Sequence, residues 1–446
     1  MIKRKVTLLA SSLLALGSVT LLAGCAEKYD VKLTIYNWED YIYEGVDDDG
    51  NPIGDGTIQA FKKYYEEKTN LKIKVDYQTF STNEDMKKQI EIGAIKADLI
   101  CPSDYMIQRM AKEGLLEPFS YNATTDKYSE SLKNWDDFGS PFIRNRFKEE
   151  KLTLSDGSES CFLQYAVPYF WGTMGFTYDP AYFTDVNEIA TWEALWNTNA
   201  RFKKQFSLKN SLRDTYVTAI FHVYKDQIAA LDETADNYTD LLSEIFNRCD
   251  DDTISKVEAA LKATSTNVYG FEVDEGKSEI VKGTYHANLA WSGDAVYSMD
   301  VAEESNKRLN YALPKEGSNV WFDGWCMPKG ANKELAEEFV NFICDPANAV
   351  KCMEAVGYTS PVVGDAIWEY VTDTYEAEET ETDTYDVDLS FYFGSEDAVI
   401  SIPTSERGRQ FDAQYPTEDA LKRCCVMKDF GSQQGKVEAM WRRIKL

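Results

Sequence analysis

LTIYNWEDYI, residues 33–42, decides the fold. Leu33, Ile35 and Tyr36 carry the apolar weight of a buried strand, so Val31–Trp38 reads as β. The strand then runs into Trp38, Glu39, Asp40 and Tyr41, two large aromatics and two carboxylates crowded at its end. Downstream, Ile58, Phe61 and Tyr65 follow at helical spacing. Leu71, Ile73, Val75 and Tyr77 alternate with Lys72, Lys74 and Asp76, the pattern of a half-buried strand. Ser81-Thr82-Asn83-Glu84 reads as a capping box for a helix whose inner face is Met86 and Ile90. DLICP at 98–102 is a short buried strand, and SDYMIQRMAKEGLL is the helix after it. Strand and helix in strict alternation imply an α/β fold with a mainly parallel sheet. Ligands bind at the carboxyl ends of such strands, where Trp38–Tyr41 and Ser103-Asp104-Tyr105 fall.

The later chain repeats the alternation less cleanly. VPYFWGTMGFTY at 167–178 reads as a long strand passing between two units, and TWEALW at 191–196 starts a helix. Ser211–Tyr224 is helical, with Val217, Ile220 and Phe221 on its buried side. HANLAW at 286–291 is a strand ending in Ser292-Gly293-Asp294, and WFDGWCMP at 321–328 is a strand opening on Trp321 and Asp323. A helix around Leu335–Ile343 follows, then Ala347–Val356, stopped by Gly357. Residues 369–388 hold nine acids and no base, a solvated insertion.

The first residues say where the protein works. Lys3, Arg4 and Lys5 precede an apolar run over Val6–Ala23, which ends in Leu22-Ala23-Gly24-Cys25. This is the layout of an export signal. Ending on a cysteine, it resembles the lipobox of bacterial lipoproteins, in which cleavage leaves Cys25 as the lipidated terminus; an uncleaved membrane anchor is the alternative. No other stretch has the roughly 18 apolar residues that a second span needs.

The chain is too long, at 446 residues, for one core, so two domains are expected. It has 75 acids against 47 bases; loss of Lys3, Arg4 and Lys5 takes the formal net charge from −28 to −31. That balance argues against nucleic acid and anionic membrane surfaces as partners. It is compatible with a small cationic ligand. There are nine cysteines, no CxxC pair, and only two histidines, His222 and His286. Zinc-type spacing is therefore missing. Beyond Cys25, export would permit disulfides, but the irregular spacings favour buried, unpaired thiols. His222 reads as a packed core residue, and His286 precedes a strand without a visible partner.

Enzymatic motifs are scarce. HExxH, G-x-S-x-G and a dinucleotide loop are all missing. Gly270–Ser278 resembles a P-loop but has one residue too many between its glycines and is acidic inside. Asp47–Asn51 lacks the glycine and glutamate positions of an EF-hand and reads as a turn.

The pairing of acids with aromatics points to a ligand chemistry. A diamine or polyamine needs a carboxylate for each desolvated ammonium. An aromatic face adds roughly 0.5–2 kcal/mol per cation. The methylenes want apolar walls, at about 0.8 kcal/mol per buried CH₂. Trp192, Trp196 and Trp441 read as ordinary core. Trp38, Trp291 and Trp321 each lie at a strand junction with an acid two or three residues away.

On YNWEDY (36–41), DLICPSDYM (98–106), VPYFWGTMGFTYD (167–179), TWEALW (191–196), LAWSGDA (289–295), WFDGW (321–325) and AVGYTSP (355–361), the chain resembles the spermidine/putrescine-binding proteins of bacterial ABC importers. The resemblance implies a two-lobed type II periplasmic binding protein fold, with a hinge and a ligand cleft between the lobes. Its division places a lipoprotein signal peptide at 1–24 and lobe 1 at 25–172, with a return segment at 323–364. Lobe 2 falls at 173–322 and 365–446, the latter with an acidic insertion at about 369–395. Matched residue by residue, Trp38, Asp40 and Tyr41 form a first binding strip, and Ser103 and Tyr105 a second. Asp214 would hold an amino group, and Asp294 matches an acid of putrescine-preferring members. Trp291, Trp321 and Asp323 match the aromatic walls and the acid between them, and Tyr358 the last aromatic contact. Ser211 stands where spermidine-preferring members often carry a second acid, and Met427 roughly where they carry a glutamine. Both departures weaken the case for spermidine over putrescine. The chain is also longer than typical members, mainly at 43–56 and 365–414.

The implied function is capture of a polyamine outside the cytoplasm and delivery to ABC permease subunits in the membrane. The protein would act as a monomer anchored by a lipid on Cys25, without cofactor, metal, nucleic acid or chemistry of its own. The alternatives are a receptor for another small solute, an extracellular hydrolase with Asp214 and Asp323 as its acid pair, and a sensor that hands its ligand to no permease.

Overall fold

Residues 28–46, 50–273 and 275–445 are described by a computed structural model. The signal segment, Cys25 and the acidic run Asp47–Asp49 lie outside these residues. Val31–Trp38 (β1) is the middle strand of a three-stranded parallel sheet, flanked by Ile73–Phe80 (β2) and Leu99–Ile100 (β3). β1 buries Leu33, Thr34, Ile35, Tyr36 and Asn37 in succession, because helices cover both faces of a parallel sheet. Thr57–Thr69 (α1), Asn83–Glu91 (α2) and Asp104–Lys112 (α3) complete the alternation expected from the sequence. The cap of α2 lies one residue later than the proposed box. The Thr82 hydroxyl accepts from the Asp85 amide at 3.1 Å, and Ser81 stays outside the helix.

The second sheet is built around Val167–Tyr178, every residue of which is buried. It pairs antiparallel with Ser318–Trp325 on one side and Ala287–Trp291 on the other. Beyond Ala287–Trp291 lie Phe206–Lys209 and then Gly270–Glu272, both in parallel pairings. The ladder shifts register between Asp323 and Gly324. Such a bulge re-aims a side chain. TWEALW forms only a short 3-10 turn, Trp192–Trp196, capped by Thr191. The expected helices at Leu335–Ile343 and Ala347–Val356 are present as Lys333–Ile343 and Pro346–Val356. Gly357 ends the latter at φ 82°, a left-handed position that suits glycine.

Three buried clusters account for the core of the described residues. The first gathers β1–β3, Tyr169–Trp171 and Val320–Met327. The second starts at Met174 and Phe176 and takes in the helix Leu212–Val223. The third, smaller, surrounds the helix Ser292–Glu304. The chain therefore crosses from the first cluster to the second within one strand. Residues 367–421 differ from the expected division, which put 365–446 with the second lobe; Ile367 and Val371 already belong to the first cluster. Leu389, Tyr392, Ile400, Phe411 and Tyr415 pack into the first cluster. Tyr392 anchors them there, because its hydroxyl meets the Trp171 indole N–H at 2.9 Å and donates to the Ser360 carbonyl. Cys425, Met427, Val437, Met440 and Trp441 join the second cluster, while Cys424 and Val426 stay with the first. All nine acids of 369–388 are exposed, as expected of a solvated segment; Glu369 and Asp373 lie on the helix Asp365–Tyr375, Asp386 and Asp388 on the hairpin Thr384–Asp388/Val399–Pro403, and the other five in the connection between them.

The described cysteines are free thiols, six of them buried. His222 is half-buried rather than core, its Nδ1 2.6 Å from Glu193 Oε1 and its ring stacked on Trp196. His286 has partners that its sequence position did not reveal: Asp179 at 3.0 Å and a stacked Tyr182.

Candidate ligand site

The carboxyl ends of β1, β2 and β3 point the same way, so the segments that follow them meet at one edge. Asn83, opening α2, ties two of these ends together. It accepts from the Ser103 amide at 3.2 Å and donates to the Ser103 and Tyr105 hydroxyls at 3.1 Å each. Asp104 fixes this edge to the second sheet. It is buried, and its oxygens accept from the Tyr105 amide at 2.6 Å and the Phe322 amide at 3.3 Å.

Asp323 sits at the bulge, bridged to Ser103 across the edge. Its carboxylate is 5% exposed and accepts from the Tyr41 hydroxyl at 2.6 Å, while Oδ1 has no hydrogen-bond partner. No lysine or arginine forms an ion pair with it among the described residues. Burial pushes the acid up to about 6 from 3.8, against the pull of the Tyr41 hydroxyl. Burial and the charge of Asp323 also hold the Asp104 acid well above its ordinary range.

Aromatic rings enclose this acid. Tyr41 lies edge-on to Phe170 at 5.1 Å and to Tyr358 at 5.8 Å, and Tyr358 lies edge-on to Trp321 at 5.1 Å. The Trp321 indole N–H is buried and unpartnered, as is that of Trp38, whose ring rests on Phe80. Trp321 stands opposite Gly172, where a Cβ would come within 2.7 Å of the indole.

The second edge carries Asp214, Trp291 and Asp294. Ser211 caps the helix Leu212–Val223, and Asp214 lies in its first turn, where the dipole favours an anion. The Trp291 indole donates to Asp214 Oδ1 at 3.2 Å. Burial raises the Asp214 acid, opposed by Ser211, Trp291, Lys209 and Arg213. Asp294 accepts from the Tyr358 hydroxyl at 3.0 Å, which links the two edges. Its other oxygen lies 3.2 Å from Lys209 Nζ. Lys209 outweighs burial there and holds Asp294 below the usual carboxylate range. The Arg213 guanidinium sits 4.2 Å over the Tyr105 ring.

The structure thus gathers Tyr41, Ser103, Tyr105, Asp214, Trp291, Asp294, Trp321, Asp323 and Tyr358 along two adjoining edges, with Trp38 at the rim. Asp40 is not brought in. It is exposed, at a left-handed turn with φ 51°. Lys209 and Glu272 join the cluster without having been singled out as site residues, Asn83 was read only as part of a helix cap, and Asp104 only as part of the strand-end segment Ser103–Tyr105. A lysine or an asparagine in isolation looks like surface. Only the register Lys209↔Glu272, between two short parallel strands, marks them as neighbours. Among the described residues no group of His, Cys, Asp and Glu could hold a metal, and no helix is long and apolar enough to cross a membrane.

Two clusters are joined by a crossing strand, with buried acids and aromatic rings along the two adjoining edges. Solved relatives have the same two-lobed type II fold. The spermidine/putrescine ABC transporter substrate-binding protein PotD of Streptococcus pneumoniae superposes with a TM-score of 0.58 at 23% identity, over 93% of this chain and 99% of that one. The TpPotD lipoprotein of Treponema pallidum gives 0.61 at 18% identity, over 93% and 99%. The chain belongs to the bacterial extracellular solute-binding protein family, whose model matches residues 59–378. It is 26% identical to the spermidine/putrescine-binding periplasmic protein of Salmonella typhimurium over 79% of this chain and 83% of that one. It is 26% identical to the putrescine-binding periplasmic protein SpuD of Pseudomonas aeruginosa, over 80% and 87%.

Proposed function

We propose that this protein captures a polyamine, putrescine or spermidine, at the buried cluster and delivers it to the permease subunits of an ABC importer. The observation that carries the reading is Asp323, a buried carboxylate without a cationic partner among the described residues and with one oxygen unsatisfied. An uncompensated buried charge is costly, so the site calls for a cation from outside. Asp323 is the central countercharge, and Asp214 holds a second ammonium. Trp321, Tyr358, Tyr41 and Trp291 wall the methylene chain, with Trp38, Ser103 and Tyr105 at the outer strip. The names of the curated relatives support the same ligand class. The protein acts outside the cytoplasm as a monomer, tethered by a lipid on Cys25, and transforms nothing.

Equilibrium dialysis with labelled putrescine tests both capture and inertness. Retained label recovered as unchanged putrescine supports a carrier. Recovery of a conversion product contradicts a carrier that transforms nothing. For the anchor, Cys25→Ser should abolish incorporation of a labelled fatty acid, and label retained in that variant contradicts the lipobox.

A further inference from the structure

The ligand reading leaves Lys209 unexplained. It ends the strand Phe206–Lys209, and its side chain is fully buried. Its ammonium lies 3.2 Å from Asp294 Oδ2, 3.2 Å from Glu272 Oε1 and 2.8 Å from the Val273 carbonyl. It also stands over the Trp291 ring at 4.4 Å. These are the surroundings a polyamine amine requires: carboxylates, an aromatic face and an enclosed methylene stem. A lysine side chain, four methylenes ending in an ammonium, is chemically an aminobutyl arm fixed to the backbone. Glu272 and Val273 come from the acidic, P-loop-like stretch, which thereby gains a role that has nothing to do with phosphate.

We propose that Lys209 is a resident ammonium filling the inner end of the cleft, so that the site takes a diamine and turns away longer polyamines. The inference rests on the polyamine reading of the same site. Asp294 already uses one oxygen on Tyr358 and the other on Lys209. The ammonium donates to the Val273 carbonyl and to Asp294, and Glu272 faces it as a second carboxylate, so its charge is already countered within the fold. A carboxylate-bearing solute is thereby disfavoured as well. The acids left for a ligand are Asp323 and Asp214, two charges for two ammoniums. Glu272 and Asp294 would serve a third only if Lys209 were gone.

Calorimetric titration of the parent, Lys209→Met and Lys209→Met/Glu272→Gln with putrescine and spermidine tests this. The double variant removes one charge of each sign, which keeps the fold's charge balance if the single variant proves unstable. The parent should bind putrescine at least about tenfold more tightly than spermidine, the loss expected when a third ammonium has no carboxylate. Each folded variant should narrow or invert that ratio. A parent that prefers spermidine, or folded variants with an unchanged ratio, overturns the proposal. A parent that binds neither amine instead overturns the function reading. Lys209 as occupant then stands only if a variant gains amine binding, and falls if none does.

Discussion

Asp323 is where the account is most exposed to test. Its neutral shape is kept by Asp323→Asn, which leaves a bound ammonium without its countercharge. Removal of one partner of a buried pair costs roughly 3–5 kcal/mol, more than a hundredfold in affinity. Calorimetry with putrescine should show that loss; a variant that binds as tightly as the parent would place the ligand elsewhere. The raised acid also sets a pH dependence. Below pH of about 6 the unliganded protein keeps the Asp323 proton, which an incoming ammonium must displace. Affinity should therefore fall about tenfold per pH unit below 6, and the fall should be smaller in Asp323→Asn, where only the raised Asp214 acid remains. In the unliganded fold the sign for stability is the opposite of the usual carboxylate case. The unfolded chain releases this proton earlier, so stability drops as pH rises from 3.8 to about 6. At this scale the pairing of aromatics with acids at strand ends picked out Tyr41, Trp321 and Asp323, which the fold brings to one edge. It was silent on Lys209, because burial of a lysine is decided by partners far away in the chain. It misled on Asp40, whose left-handed turn carries it outward.

Among the elements, the period-2 and helical patterns of β1 through α3 were legible because each segment buries its own face locally. The bulge after Asp323 and the pairing of two short strands at Lys209 and Glu272 were not, since register is a long-range property. The start of the helix Ser292–Glu304 offers a test of how its neighbours hold the site. A Cβ on Gly293 would fall 2.2 Å from the Tyr358 ring, closer than any side chain can sit. Gly293→Ala must therefore displace Tyr358, which holds Asp294 and lies against Trp321. Overpacking of this kind costs about 1–3 kcal/mol. Thermal melts should show a lower midpoint and titration a weaker amine affinity. If both stay at parental values, Tyr358 is not a fixed wall of the cleft.

For the whole molecule, the alternation of strand and helix and the long strand at 167–178 were enough to indicate two units. They were not enough to assign the C-terminal part. Residues 367–421 join the first cluster through Tyr392 and its neighbours, and an acidic composition gives no hint of that docking. Because the crossing strand contributes to two clusters, and the tie from Tyr358 to Asp294 joins the two edges, a dication held by Asp323 and Asp214 would stabilise the closed arrangement. Small-angle scattering should show the mature protein contracting on addition of putrescine, by hinge closure. An unchanged radius of gyration at saturation would count against a ligand held between the clusters. The central claim, that the buried acids and rings form a binding site for an amine, is tested most directly by calorimetric titration of the mature protein with putrescine at pH 7.5 and pH 5. Saturable one-to-one binding is expected at the higher pH, and binding weaker by about tenfold at the lower. Absence of saturable binding at either pH, or equal affinity at both, would contradict it.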